Sequence, residues 1–385
     1  MGGAYGTGIP LCDLQSQYKE LQAEIEKAVS RVLTSGQVIL GPEVAALEDE
    51  VARYCGTGYA VGCSSGTDAL LLALQALDIG PGDEVIMPPF TFFATASTVC
   101  RLGGRPVFAD IDGATWNVDP LQVENKITRR TRAIVVVHLF GQCADMELLW
   151  HIAERHNLSI IEDAAQSFGA EYQGKRAGTL GAIGCFSFYP SKILGAYGDA
   201  GMTVTSDPGW TKRMKALRDH GMEVKYHHRH MGWNARLDAL HAAMLRVKLP
   251  YVERWIEARQ AAARRYDSLI DEHHLAQFLR RPAVRPQRRH AFGYYVVEVS
   301  QNQRDALMRH LKSEQIGCDV YYPIPLHLQE CLAYLGYRPG DFPASEEASG
   351  NVLALPMYPG LTMDQQRRVI QSCANFVRQR SRLAA

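Results

Sequence analysis

Apolar runs of strand length alternate with longer stretches of helical period up to about residue 250. Residues 85–88, 106–109, 133–139 and 158–162 are the strand candidates, with helical stretches such as 146–156 between them. Strands spaced in this way are too far apart for tight hairpins, so the alternation predicts a mostly parallel sheet with helices on both faces. Residues 185–188 and 202–205 complete that sheet. Before it, an amphipathic helix over about 14–34 and a second over about 44–54 are separated by a turn at Gly36 and Gly41.

After Leu249-Pro250 the pattern changes. A long helix over 252–270 leads into a proline- and arginine-rich stretch, 280–289; residues 291–299, a helix over 304–314 and residues 318–322 then make a compact α+β unit. The expected architecture is a large α/β domain, residues 11–250, whose mixed, mostly parallel sheet is sandwiched by helices, and a smaller C-terminal α+β domain, residues 251–385. There is no internal repeat or low-complexity segment.

Composition narrows the function. With 385 residues, 46% of them hydrophobic and 21% charged, the chain can bury a core for two domains. Its 41 basic and 41 acidic side chains balance, which leaves no electrostatic footprint for nucleic acid and no cationic face for a membrane surface. The longest apolar runs, such as 133–139, are strand-sized, so no transmembrane span is expected. Residues 1–8 are small and glycine-rich, without the charged and apolar regions of a secretion signal, and are expected to be a disordered leader. Nine cysteines without a C-x-x-C pair suit a reduced, cytoplasmic enzyme and not a disulfide or zinc framework. His227, His228 and His230 lack helical ligand spacing and a matched acidic or Cys partner, so a substrate-facing or surface loop is expected there and no metal site.

Three segments carry candidate chemistry. Lys192 follows a short β-type run, stands five residues after Ser187 and is followed by glycines. That arrangement suits a pyridoxal phosphate Schiff base, because the amine must reach an aldehyde while the hydroxyl reaches the phosphate. On its own it also describes a solvated surface lysine. Asp163 ends the apolar run 158–162, at the strand edge where ligands bind in open α/β sheets. There it can pair with a protonated pyridine nitrogen, and Gln166 can meet the ring hydroxyl; a helix cap and a surface amide are the plainer alternatives. Gly66 and Thr67 open a strongly helical run, where free N–H groups and the positive helix end suit a phosphate, or simply a cap. No Walker-type loop and no G-x-G-x-x-G after a first strand is present.

Taken in order, these segments resemble the fold-type I pyridoxal phosphate enzymes, and specifically the DegT/DnrJ-type sugar aminotransferases. The stretches that carry the likeness are Gly41-Pro42-Glu43-Val44 with Leu47-Glu48, Ser65-Gly66-Thr67-Asp68-Ala69-Leu70, Gly80-Pro81-Gly82-Asp83-Glu84-Val85 and Thr91-Phe92-Phe93-Ala94-Thr95. Glu162-Asp163-Ala164-Ala165-Gln166, Ser187-Phe188-Tyr189-Pro190-Ser191-Lys192 and Gly232-Trp233-Asn234-Ala235-Arg236-Leu237-Asp238 continue it. It extends from about Leu11 to Leu355-Pro356-Met357-Tyr358-Pro359.

The resemblance implies that Lys192 tethers the cofactor and, once released, moves the proton between the donor's Cα and the cofactor's C4′. It further implies that Asp163 holds the ring nitrogen, Phe92 stacks on the ring, and Ser187 and Thr67 bind the phosphate. Asn234 matches a residue that reaches the phosphate from the other subunit, hence a homodimer with shared active sites. The implied donor is L-glutamate and the acceptor a nucleotide-linked keto sugar. Gln166 tilts the reading toward C-3, and Arg236 and His327 sit where related enzymes contact substrate. The nearest likeness is to enzymes that aminate a UDP-2-acetamido-3-keto hexose, a uronic acid whose carboxylate meets Arg236 being one form of it. A dTDP-linked 3-keto- or 4-keto-6-deoxyhexose stays open as the acceptor, Arg236 has the alternative of pairing with Asp238 or another local acid, and His327 that of a loop histidine. A non-enzymatic regulatory member is the competing class; it has no need of an intact cofactor set. A dehydratase with histidine in place of the lysine is opposed by Lys192 itself.

Overall fold

The computed structural model describes residues 8–300 and 302–384. All but the last residue of the expected leader lies outside the described residues. The main sheet has seven strands: β1 (Tyr59–Cys63), β2 (Glu84–Met87), β3 (Arg105–Phe108), β4 (Thr131–Val137), β5 (Ser159–Asp163), β6 (Ile183–Ser187) and β7 (Gly201–Thr205). Their order is β1-β7-β6-β5-β4-β2-β3. Strands β3, β2, β4, β5 and β6 run parallel, and β7 alone is antiparallel to both of its neighbours, so the sheet is mixed and mostly parallel, as expected.

The six strands expected from periodicity all form, and β1 is the addition. Its five residues are interrupted by Gly62 and run directly into Ser64-Ser65-Gly66, so it lacks a legible period of its own. In Val85–Met87 of β2 and in Ala133–Val137 of β4 every side chain is buried, which is why these stretches read as unbroken apolar runs. Each fully buried Val or Ile there contributes about 1.5–3 kcal/mol relative to exposure.

Helices cover the sheet. Of those that bear on the site, α1 (Leu14–Ser35) starts at Asp13, whose carboxylate accepts from Ser16 N at 3.0 Å, and stops at Gly36, with φ +69°. It is followed by α2 (Gly41–Cys55), α3 (Gly66–Ala76), α4 (Ala94–Arg101) and α5 (Ala239–Lys248). A second core lies around a small antiparallel sheet of β8 (Leu279–Arg280), β9 (Tyr295–Val299) and β10 (Val352–Leu355). Helix α6 (Val252–Glu272) serves both cores, giving Trp255 and Ile256 to the first and Ala262, Tyr266 and Ile270 to the second. Ile9, near the start of the described chain, pairs with Ile316 and is buried in that second core. No helix among the described residues is long and apolar enough to cross a membrane.

For function the decisive consequence is register. Val137 and Asp163 stand side by side at the carboxyl ends of β4 and β5, and β6, paired to Asp163 through Cys185, runs on two residues further to Ser187. That edge is where an open α/β sheet leaves room for a ligand.

Candidate active site

Successive residues of a strand point to opposite faces, and the last two of β5 use both. On one face Glu162 is fully buried and accepts from Gly178 N (2.6 Å), Leu180 N (2.6 Å) and Gly181 N (2.5 Å). His138 Nε2 lies 2.8 Å from the same carboxylate. Because Ala144 N donates to His138 Nδ1 at 3.1 Å, the ring proton is on Nε2 and is donated to Glu162. His138 N also donates to the Asp163 carbonyl at 3.0 Å, which fixes the strand end from the side.

On the other face Asp163 is 5% exposed. Thr95 Oγ1 of α4 donates to its Oδ2 at 2.8 Å, and Ala165 N to its Oδ1 at 3.3 Å. Burial pushes its carboxyl above the usual range, against the pull of these hydrogen bonds and of the Lys192 ammonium. Among the described residues it has no ion-pair partner within bonding distance, and a cation placed beside it would offset its burial.

Lys192 sits in the turn after β6 and is half-buried. Its N–H donates to the Tyr189 carbonyl at 2.9 Å, and its ammonium lies 5.5 Å from the ring centre of Tyr294. Ser187 closes β6, and Gly66 opens α3 directly against it: a Cβ built on Gly66 would lie 2.6 Å from Ser187 Cβ. The N–H groups of Gly66 and Thr67 have no intrahelical acceptor at this position, whereas that of Asp68 is taken by Ser65 Oγ at 3.1 Å. A helix end with two open N–H groups beside a serine hydroxyl suits a phosphate.

Phe92, just before α4, is 55% exposed, an apolar ring left open with its centre 6.1 Å from that of Tyr322. Gln166 is buried and held at both ends, accepting from Phe140 N at 2.8 Å and donating to Tyr322 Oη at 2.8 Å. The structure thus gathers Lys192, Asp163, Gln166, Phe92, Ser187, Gly66 and Thr67 along one sheet edge. These groups fit pyridoxal phosphate: a carboxylate for the ring nitrogen, an open aromatic face for the ring, an amine for the aldehyde and a helix end for the phosphate.

Comparison with known proteins gives the same answer. Residues 19–374 match the DegT/DnrJ/EryC1/StrS aminotransferase family. The chain belongs to this family. A "Pleiotropic regulatory protein" of Geobacillus stearothermophilus is 45% identical over 370 residues, 96% of this chain and 99% of the relative. The "UDP-N-acetyl-3-dehydro-alpha-D-glucosamine 3-aminotransferase" of Acidithiobacillus ferrooxidans is 42% identical over 94% of this chain and 96% of its own. The "dTDP-3-amino-3,4,6-trideoxy-alpha-D-glucose transaminase" of Streptomyces venezuelae is 42% identical over 94% and 95%. Among solved structures, that of S. venezuelae DesV in complex with a ketimine intermediate superposes with a TM-score of 0.92 at 41% identity, covering 96% of this chain and 98% of that one. The protein is an aminotransferase, and pyridoxal phosphate is its cofactor.

The aminotransferase has site residues that sequence reasoning missed. Thr95 lies in a recognised motif but carried no assigned role, since its contact with Asp163 bridges 68 positions. Tyr294 and Tyr322 come from the part of the chain beyond α6, where no local pattern marks them as neighbours of Lys192 and Gln166. Asp68 also works harder than a helix residue: it accepts from Ser64 Oγ (2.5 Å), Ser65 Oγ (3.0 Å) and Trp233 Nε1 (3.0 Å), tying the start of α3 to the segment before Asn234.

The remaining expected residues stand apart from the cluster. Asn234 is exposed, and Arg236 pairs with Asp219 at 2.7 Å, a local acid other than Asp238. With Ser64, Asp199 and His241 both line a pocket of about 320 Å³ on the flank of the phosphate loop. His327 is 2% exposed; its Nε2 lies 3.0 Å from Glu346 Oε1, its ring meets Phe342 edge-on, and burial lowers its pKa. His227 and His228 lie on an exposed strand paired with Met222–Val224, so the histidine-rich stretch is half of a hairpin and not an irregular loop.

Proposed function

We propose that this aminotransferase moves the amino group of L-glutamate onto C-3 of a nucleotide-linked keto sugar, a UDP-2-acetamido-3-keto hexose. The observation that carries this is the convergence of Lys192, Asp163 and the Gly66–Thr67 helix end on one sheet edge, in a chain whose relatives are named for 3-amino UDP and dTDP sugars. Because the two relatives are equally identical, a dTDP-linked 3-keto sugar is the second reading. The relative named as a regulator does not displace the enzymatic reading, since a regulator has no use for a buried carboxylate aimed at a cofactor.

Bound at this site, pyridoxal phosphate supplies an electron sink that makes the donor's Cα–H acidic. The chain does the rest. Asp163 would hold the proton on the ring nitrogen, and Thr95 Oγ1 and Ala165 N hold Asp163. The Lys192 amine would take the proton from the donor's Cα in the first half-reaction and deliver one to the sugar's amino-bearing carbon in the second. Gly66, Thr67 and Ser187 keep the phosphate in place, and Phe92 covers one ring face. Asn234, exposed beside the phosphate loop, serves the phosphate of a second copy in a homodimer, and Arg236 meets the sugar.

The test runs backwards, because free keto sugars are unstable. Enzyme and 2-oxoglutarate are incubated with UDP- and dTDP-linked 3-amino and 4-amino sugars, and glutamate is measured. Formation of glutamate from UDP-linked 3-amino sugars is expected. Activity confined to 4-amino sugars overturns the C-3 assignment, a preference for dTDP overturns the carrier, and activity on simple amino acids alone overturns the sugar reading.

A further inference from the structure

Lys248 ends α5 and is fully buried, yet among the described residues its ammonium has no carboxylate partner. A lone buried ammonium is costly, so its neighbours must offset that cost. Nζ donates to the Gly195 carbonyl and lies over the rings of Tyr197, 4.7 Å from the centroid, and Trp255, at 6.0 Å. Gly195 and Tyr197 belong to the loop that carries Lys192. That loop is pinched shut at its neck, where Ala196 N donates to the Phe188 carbonyl at 2.7 Å, and tightened at its tip by Lys192 N on Tyr189. Gly195 has to be glycine, because a Cβ there would lie 2.3 Å from the Pro190 carbonyl oxygen. With the neck closed, the buried Gly195 carbonyl takes its hydrogen bond from α5, and Lys248 supplies it.

We propose that Lys248 is a positioning residue: its grip on Gly195, steadied by Tyr197 and Trp255, fixes the 188–197 loop so that the Lys192 amine stands at the sheet edge. This rests on Lys192 being the amine that binds the cofactor. Two variants of the full-length holoenzyme test it. Lys248→Met keeps the buried stem and loses the donor and charge; Lys248→Gln restores an N–H donor without the charge.

In Lys248→Met, amides of residues 188–197 should exchange with solvent roughly tenfold faster while those of β4 and β5 stay unchanged. kcat should fall roughly tenfold to a hundredfold with KM for the sugar within about twofold. Lys248→Gln should recover most of both losses. Wild-type exchange in the loop of Lys248→Met overturns the proposal, and so does faster exchange spread evenly over β4 and β5, or a Gln variant no better than Met. If Lys248→Met does not fold, a Gln variant with wild-type loop exchange supports the proposal and one with a loosened loop overturns it. Borohydride reduction of the wild-type holoenzyme separates the two layers: an adduct on a lysine other than Lys192 refutes the underlying reading, whereas loop exchange addresses Lys248 alone.

Discussion

Gly66→Ala is the smallest change that should damage the phosphate site. The added methyl would stand 2.6 Å from Ser187 Cβ, 3.1 Å from its Oγ and 3.2 Å from its Cα. Carbon atoms rest at roughly 3.5–4.0 Å, so α3 and β6 must part by about 1 Å. Neither yields freely, because α3 buries Ala69, Leu70, Leu71 and Leu72 and Ser187 closes a central strand of the sheet. Overpacking of this kind costs about 1–3 kcal/mol, and here the strain falls between the two groups that hold one phosphate. At about 1.4 kcal/mol per tenfold, cofactor affinity should drop roughly five- to 150-fold. The assay is titration of cofactor-free protein with pyridoxal phosphate, followed by its visible absorbance. Gly350→Ala is the control, since a Cβ there meets nothing within 4 Å. Wild-type affinity in Gly66→Ala would mean that the Gly66–Ser187 contact does not shape the phosphate site.

Two further substitutions probe the two faces of β5. Asp163→Ala should retain some cofactor through the phosphate contacts and slow both half-reactions by at least roughly a hundredfold, measured as single turnovers; near-normal rates would sink its role as partner of the ring nitrogen. Glu162→Gln turns an amide NH₂ toward N–H donors whichever way it is set, because Oε1 faces Leu180 and Gly181 while Oε2 faces Gly178 and His138. It should cost about 3 kcal/mol of stability, read from denaturant unfolding, and an unchanged midpoint would show that the four donors are not all needed.

The sheet was legible because burial on both faces writes an apolar run into each central strand, and Ala133–Val137 and Ile160–Ile161 are such runs. Asp163 followed from the same logic, since the residue that ends a buried strand stands at the ligand edge. Lys192 and Gly66 were legible for a related reason: each lies next to the strand or helix end that positions it. What stayed hidden is what only the packed chain brings together. The reversal of β7 is not written in Gly201–Thr205, whose residues are as buried as those of a parallel strand. His138 looked like the end of a strand, and only the fold shows its ring between Ala144 and Glu162.

The same distinction explains why the cofactor was easier to infer than the sugar. The groups that fit the cofactor stand at strand and helix ends of the large sheet or in the turns beside them, so sequence neighbours report on geometry. The surroundings of Gln166 and His327 do not have that property. Tyr322 reaches Gln166 across 156 positions, and Tyr294 meets Lys192 across a gap of similar kind. His327 sits among prolines and leucines that look like a loop, yet it is buried against Phe342 and bonded to Glu346. Gln166 itself shows the difficulty. Its amide is held on one side by Phe140 of the large sheet's loops and on the other by Tyr322, a contact between segments that no local pattern links. A chain can therefore announce its cofactor in a few short motifs, whereas pairs such as Tyr322 and Gln166 meet only after folding.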